Sequence, residues 1–294
     1  MMIPVRQLLA TAQQAAYAVG AFNVYNLEGV SAVVQAAERE HCPVILQVHP
    51  SALRVGGRML VSLCLAAAKH AAVPVGVHLD HSASLADIGQ ALALGVPSIM
   101  ADGSHLPYPE NVSFCKEAVA LARVFGATVE VELGRLSGTE DGLTVSERNA
   151  KLTDPDQAVE FLEQTEADFL AVSIGNVHGH YSSEPVLDLA RLAEIRSLTN
   201  RPLVLHGASG LSSAIIRRTI ELGVCKFNVN TEVREAYMGA LSRSMTAQKK
   251  PDLLDVMKEG IASMEPVVCA RLRDFGSSGK FQLSSEVLIS QPAI

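Results

Sequence analysis

The sequence predicts an α/β chain of the (β/α)8-barrel class, and three observations carry that prediction. Eight short apolar runs alternate with segments of helical spacing along one stretch with no break in composition. The runs are nearly continuous in apolar residues, as strands of a parallel sheet buried on both faces are. The unusual polar residues gather at the C-terminal ends of these runs, which is the rim where barrel active sites form.

Taken in order, the segment MMIPVRQLLATAQQ reads as a short lead-in and a helix, without the apolar core and cleavage site of a secretory leader. The first run, VGAFNV (19–24), ends on Asn23, and the helical NLEGVSAVVQAAERE follows it. No Gly-x-Gly-x-x-Gly follows this strand, which argues against an open dinucleotide-binding sheet. The second run, PVILQVH (43–49), ends on His49, and the third, VPVGVHLD (73–80), ends on Asp80 with His81 next. SLADIGQALALG then leads to PSIMAD (97–102), ending on Asp102, and ENVSFCKEAVALARVFG leads to ATVEVEL (127–133), with Glu132 near its end. DFLAVSIG (168–175) runs into Gly-Asn-Val-His-Gly with His178; PLVLHG (202–207) contains His206; CKFNVN (225–230) is followed by Thr231. Gly95, Gly126 and Gly223 stand just past helical segments, where a left-handed C-terminal cap is expected. These units make one domain over residues 1–280. Residues 281–294 lack a helical period and read as a C-terminal tail. The polar stretch 134–157 is too long for an ordinary connection and reads as a lid or disordered insertion.

Bulk properties narrow the function. Of 294 residues 48% are hydrophobic, enough for a large aliphatic core. A formal charge of −7 without a dense Lys/Arg block excludes a nucleic-acid footprint. The most apolar stretch, around 59–72, is interrupted by Lys69 and His70, so no membrane span is expected. Five scattered cysteines without a Cys-x-x-Cys pair fit a reducing, cytoplasmic setting with thiols buried as small apolar residues.

The chemistry lies in the strand ends. His81, His178 and His206, from three different strands, are a donor set suited to Zn²⁺ with a coordination position left open. His180 competes with His178 within NVHGHY, and spacing does not choose between them. Residues two apart on a strand share a face, so His78 and Asp80 point together into the barrel mouth. Asp80 is placed either for proton transfer or to orient a histidine. The segments LHGASGL and FNVNTE follow the last two strands, where barrels often bind phosphate. Ser209 and Thr231 add hydroxyl donors there, although helix caps would use the same residues.

The motifs AFNVYNLEGV, HLDH, DGSH, VEVELGRLSGTED, GNVHG, LHGASGL and FNVNTE stand in the order found in class II, zinc-dependent ketose-bisphosphate aldolases. The chain resembles that family over roughly residues 5–280, nearest its tagatose-bisphosphate-type branch. The resemblance implies reversible cleavage of a phosphorylated ketose to dihydroxyacetone phosphate and an aldehyde through a zinc-stabilised enediolate. It implies Asp80 as the catalytic acid/base and His81, His178 and His206 as zinc ligands, choosing His178 over His180. It places Glu132 at an alternative or second metal position, and Glu140 as the group handling the carbon-bound proton. Gly179, Gly207, Ala208, Ser209, Asn228, Val229, Asn230 and Thr231 match the site for the dihydroxyacetone phosphate half, with Asn23 beside it. A monovalent cation, Na⁺ or K⁺, commonly sits near the phosphate, and the resemblance implies a homodimer or homotetramer.

Three positions depart from the familiar bisphosphate pattern: His49, Ser82 and Asn230. They bear on substrate identity, as does a likeness to an aldolase-like module fused to dehydrogenase and kinase-like domains, so a non-hexose sugar or sugar acid is the alternative. Arg234, one turn into the helix after the eighth strand, is a candidate for the distal anionic group, against the reading of a solvated helix charge. Two other classes compete. A barrel metal hydrolase would carry His-x-His on the first strand, where Asn23 stands, and a non-catalytic scaffold would have no use for Asp80 and three histidines together.

Overall fold

The computed structural model describes residues 1–140, 143–146, 150–179, 181, 185–247 and 250–281. Eight parallel strands close on themselves: β1 (Val19–Asn23), β2 (Val44–Val48), β3 (Val75–Ser82), β4 (Ser98–Ala101), β5 (Thr128–Leu133), β8 (Phe169–Val172), β10 (Leu203–Leu205) and β11 (Val224–Val229). β11 pairs with β1 and completes the barrel. Each expected strand is present, within a few residues of its expected bounds.

Around the barrel run α1 (Val5–Gln14), α2 (Leu27–Arg39), α3 (Pro50–His70), α4 (Leu85–Ala93), α5 (Tyr108–Val124), α6 (Pro155–Thr165), α7 (Leu189–Leu198), α8 (Ser213–Glu221), α9 (Thr231–Ala247) and α10 (Leu253–Asp274). The loops leave each strand at the mouth and enter these helices through side-chain caps. Asn26, Ser84, Asp154, Asp188 and Ser212 each accept from a backbone N–H of the first turn, contributing on the order of 1 kcal/mol apiece. α3 is by length and composition apolar enough to cross a membrane. Here it is a barrel helix, bent at Gly57 and packed against β2 and β3 through buried Leu53, Leu60, Val61, Cys64 and Ala68.

Two apolar layers hold the barrel. One lies between strands and helices; the other fills the lower interior with Val19, Ala21, Ile45, Met100, Phe169 and Val204, closed from below by Val5, Leu8, Leu9 and Ala12 of α1. Toward the mouth the interior turns polar, with Gln47, His78, Glu130 and Lys226 fully buried.

Of residues 134–157, expected to be a lid or disordered insertion, the described part carries two strands of a small sheet rather than a disordered run. β6 (Ser137–Glu140) pairs antiparallel with β7 (Leu143–Val145) and parallel with β9 (Val177–His178). Gly138 makes this possible. Its φ is 107°, and a Cβ there would lie 2.0 Å from the carbonyl oxygen of His178, a contact no side chain tolerates. At the other end, the Gly279 and Phe281 N–H groups donate to the carbonyls of Glu40 and His41, after which the expected tail, 282–294, lies outside the described residues.

Candidate active site

The mouth is organised by a bulge in β3. Leu79 pairs with Ile99 and Ser82 with Ala101, so β3 fits one more residue than β4 between the same two pairings. His81 takes the extra position at φ 39°, a conformation costly for a non-glycine residue and typical of functional sites. The bulge turns Asp80 and His81 toward the same opening, where simple alternation would have sent them to opposite faces.

Three imidazoles converge there. His81 and His178 ring centroids are 4.9 Å apart, and those of His81 and His206 are 4.5 Å apart. One ligand nitrogen from each of His81, His178 and His206 lies within 4.8 Å of the others. Two of the rings are locked from behind by carboxylates. His81 donates from Nδ1 to Asp102 Oδ2 at 2.7 Å, and His206 donates from Nε2 to Glu130 Oε1 at 2.8 Å. Their remaining nitrogens, His81 Nε2 and His206 Nδ1, face each other. A carboxylate behind each imidazole fixes tautomer and orientation, as at histidine–metal centres.

Charge and desolvation fit a cation as well. Asp80, Asp102, Glu130 and Glu132 surround the cluster, and Lys226 is committed to Glu130 at 2.8 Å. Glu132 Oε2 is buried without a hydrogen-bond partner among the described residues, 3.8 Å from His206 Nδ1 and 4.0 Å from His81 Nδ1. An unpaired buried acceptor costs about 1–3 kcal/mol, a cost that a bound cation would remove. Burial, reinforced by the Asp102 charge, pushes the Glu132 carboxyl well above the usual range. Burial alone would depress His81, but Asp80 and Asp102 outweigh it and hold the imidazole charged well above its usual value. Burial next to His81 lowers His206 to about 4. The donor set of three imidazoles and a flanking carboxylate therefore suits Zn²⁺.

Asp80 sits beside this cluster, buried, and both its oxygens are occupied. Asn23 Nδ2 donates to Oδ2 at 2.8 Å, and Asn228 Nδ2 donates to Oδ1 at 3.0 Å. Gln47 Nε2 in turn donates to Asn23 Oδ1 at 3.1 Å, which fixes which way that amide points. His78 lies deeper, against Ser98 Oγ at 2.8 Å; burial and then Lys226 lower it to about 3.

The rim loops take their expected places. Gly207 has φ 69°, and a Cβ there would meet Val177 O at 1.9 Å, so the loop after β10 lies directly on β9. Asn176 and Tyr181 clamp the same junction, Asn176 Nδ2 donating to His206 O and the Tyr181 hydroxyl to Gly207 O. Gly179 follows His178 at φ 84°, Ser209 is nearly buried, and Ala208 N–H already donates to Asn228 O. Val229 packs into the outer apolar layer, which leaves its backbone for any ligand contact. Asn230 accepts from the Tyr25 hydroxyl at 2.8 Å, Thr231 opens α9, and Arg234 stands half-buried in its first turn. His49 caps α3, accepting from Ser51 N. The backbone of Glu140 ends β6, while its side chain and His180 lie outside the described residues.

Sequence reasoning missed Glu130, Lys226, Gln47, Asn176 and Tyr181 as site-building residues. The first two carried a signal: each lies two residues before a singled-out rim residue, Glu132 and Asn228, and so on the same strand face.

The family description "Fructose-bisphosphate aldolase class-II" matches residues 3–280. Among solved structures, the chain is similar to the YdjI aldolase from Escherichia coli K12, at 35% identity and a TM-score of 0.85, covering 96% of this chain and 100% of that one. It is similar to a Coccidioides immitis protein assigned as a fructose-1,6-bisphosphate aldolase, at 33% identity and a TM-score of 0.89, covering 93% and 96% of the two chains. A fructose-bisphosphate aldolase from Campylobacter jejuni shares the fold at 23% identity and a TM-score of 0.78, covering 95% and 97%.

Proposed function

The chain belongs to the class-II fructose-bisphosphate aldolase family, and from that membership we propose that it is a zinc-dependent lyase reversibly cleaving a phosphorylated ketose to dihydroxyacetone phosphate and an aldehyde. The observation that carries the reading is the meeting of His81, His178 and His206 beside a buried Asp80. His81, His178 and His206 would hold Zn²⁺, which when bound would supply a Lewis acid at the mouth of the barrel. The protein's own residues do the rest. Asp80, aimed by two amide donors, takes the proton of the C4 hydroxyl as the C3–C4 bond breaks. Glu140 returns a proton to the carbon left behind. Glu132, with an oxygen that has no hydrogen-bond partner among the described residues, offers a second cation position beside His81 and Asp102.

Gly179, Gly207, Ala208, Ser209 and the stretch 228–231 would receive the phosphate end, with Na⁺ or K⁺ assisting, and Arg234 the distal anionic group. The five buried, free thiols suit a reducing cytoplasm, and the proposed assembly is a homodimer or homotetramer. A second reading, a non-hexose phosphorylated sugar or sugar acid, is favoured by one observation: Asn230 is engaged by Tyr25, which puts an aromatic hydroxyl on the rim.

The test is release of dihydroxyacetone phosphate from a panel of ketose phosphates by purified protein, before and after chelation and after adding Zn²⁺. Cleavage should vanish with the metal and return with it. Undiminished cleavage in metal-free protein, with borohydride trapping a lysine adduct, would overturn the proposal.

A further inference from the structure

Beneath the three histidines lies a buried ion pair that the proposed chemistry does not use. Lys226 and Glu130 are both fully buried and 2.8 Å apart. A buried ion pair is roughly neutral for stability against apolar residues of the same size, so stability gives no strong reason to keep it. Its hydrogen bonds point elsewhere. Glu130 spends one oxygen on Lys226 and the other on His206 Nε2 at 2.8 Å. Lys226 also donates to Asn228 Oδ1 at 2.7 Å. Asn228 Nδ2 then donates to Asp80.

A single ammonium thus stands at the root of two chains. Along one, Lys226 holds Glu130, whose carboxylate accepts from His206 Nε2. That tautomer leaves the lone pair on Nδ1, the nitrogen facing His81. Along the other, Lys226 holds the oxygen end of the Asn228 amide, so its NH₂ end must face Asp80. An amide flipped the other way would present an oxygen to a carboxylate.

We infer that Lys226 is a positioning residue that sets the metal-facing nitrogen of His206, through Glu130, and the orientation of Asp80, through Asn228. The inference rests on the metal-dependent reading above. Outer partners of this kind change metal affinity by about 10–100-fold when removed, and slight misplacement of a reacting group costs on the order of a hundredfold in rate.

The experiment compares wild type with Lys226→Met and with the paired change Lys226→Met/Glu130→Met, which removes both buried charges together. Zinc affinity of the metal-free protein is read by competition with a chromophoric chelator, and kcat and KM are read at saturating zinc. Both variants should lose zinc affinity by about 10–100-fold. With zinc saturating, kcat should still be down by roughly a hundredfold, with KM raised less, because the Asp80 arm stays loose and Asn228, in the stretch proposed to receive the substrate, loosens with it. Simple damage to the barrel would not single out kcat. A folded variant with wild-type zinc affinity, or with full kcat once zinc is saturating, overturns the two-armed role. Wild-type protein that binds no zinc overturns the functional reading itself, and the inference with it. Should neither variant fold, ¹⁵N imidazole shifts of the metal-free wild type decide: a protonated Nε2 on His206 is required, and a protonated Nδ1 with bare Nε2 overturns the assignment.

Discussion

His81 Nε2 and His206 Nδ1 lie 2.7 Å apart, although 125 residues separate them in sequence. Two ring nitrogens at that distance share a proton, and as tetrahedral zinc ligands they would have to part to about 3.3 Å. In the metal-free protein Asp80 and Asp102 outweigh burial and keep His81 protonated well above 6.5, and burial with the Asp102 charge keeps Glu132 protonated well above 4.5. Zinc must displace protons from these groups, so its affinity should rise with pH as the solution moves up through neutrality. Calorimetric titrations in buffers of different ionisation enthalpy should show net proton release at pH 7. Zinc binding with no proton release would contradict the arrangement.

Asp80→Asn preserves the shape of the side chain and removes its basicity. The variant should bind zinc as wild type does and lose cleavage by about 10²–10⁴-fold, the range for removing a positioned acid/base. Metal analysis and steady-state rates on the same preparation check both halves. Wild-type cleavage would reduce Asp80 to a residue that only orients its neighbours.

Gly207→Ala should be among the costliest changes of one methyl group. The added Cβ would sit 1.9 Å from Val177 O at a backbone φ of 69°, and β9 carries His178. Loss of at least about 2 kcal/mol of stability is expected, with reduced zinc content. An unchanged melting temperature and full zinc occupancy would show that the loop can lie elsewhere.

Arg234→Ala tests the far end of the substrate. Charge-assisted hydrogen bonds contribute about 1.5–3 kcal/mol. KM for a doubly anionic ketose should therefore rise roughly tenfold to a hundredfold more than KM for its singly phosphorylated analogue. Equal losses on both substrates would leave Arg234 as a structural residue.

Glu140→Ala should slow exchange of the carbon-bound proton of dihydroxyacetone phosphate more than it affects zinc binding. Proton exchange followed by NMR in deuterated water reads this step alone, and an unaltered rate would remove Glu140 from the mechanism.

The barrel was legible because each strand is a local apolar run bounded by turn residues, and because a barrel puts all the strand ends on one rim. That is why Asn23, Asp80, His81, Glu132, His206 and Asn228 could be placed together from their order alone. The β3 bulge could not be read the same way: one extra residue at His81 depends on the register against β4, a non-local pairing. Glu130 and Lys226 were passed over inside apolar strands, because their pairing exists only when β5 and β11 are set across the barrel from each other. The sheet at β6 and β7 was hidden by polar residues and glycines, although Asp141-Gly142 between the two strands is a hairpin signal.

The ladder joining β6 to β9 has a consequence for anyone recombining such enzymes. The backbone that carries Glu140 and the backbone that carries His178 are hydrogen-bonded neighbours, Ser137 beside Val177 and Gly138 beside His178. Two loops that look like separate modules in the gene are one part in the folded chain. A chimera that imports the segment after β5 without the segment after β8 would break that ladder and misplace His178, even if no residue of the three-histidine cluster were changed. Crossover points for domain shuffling should fall before β5 and after Tyr181, so that both loops travel as a matched set.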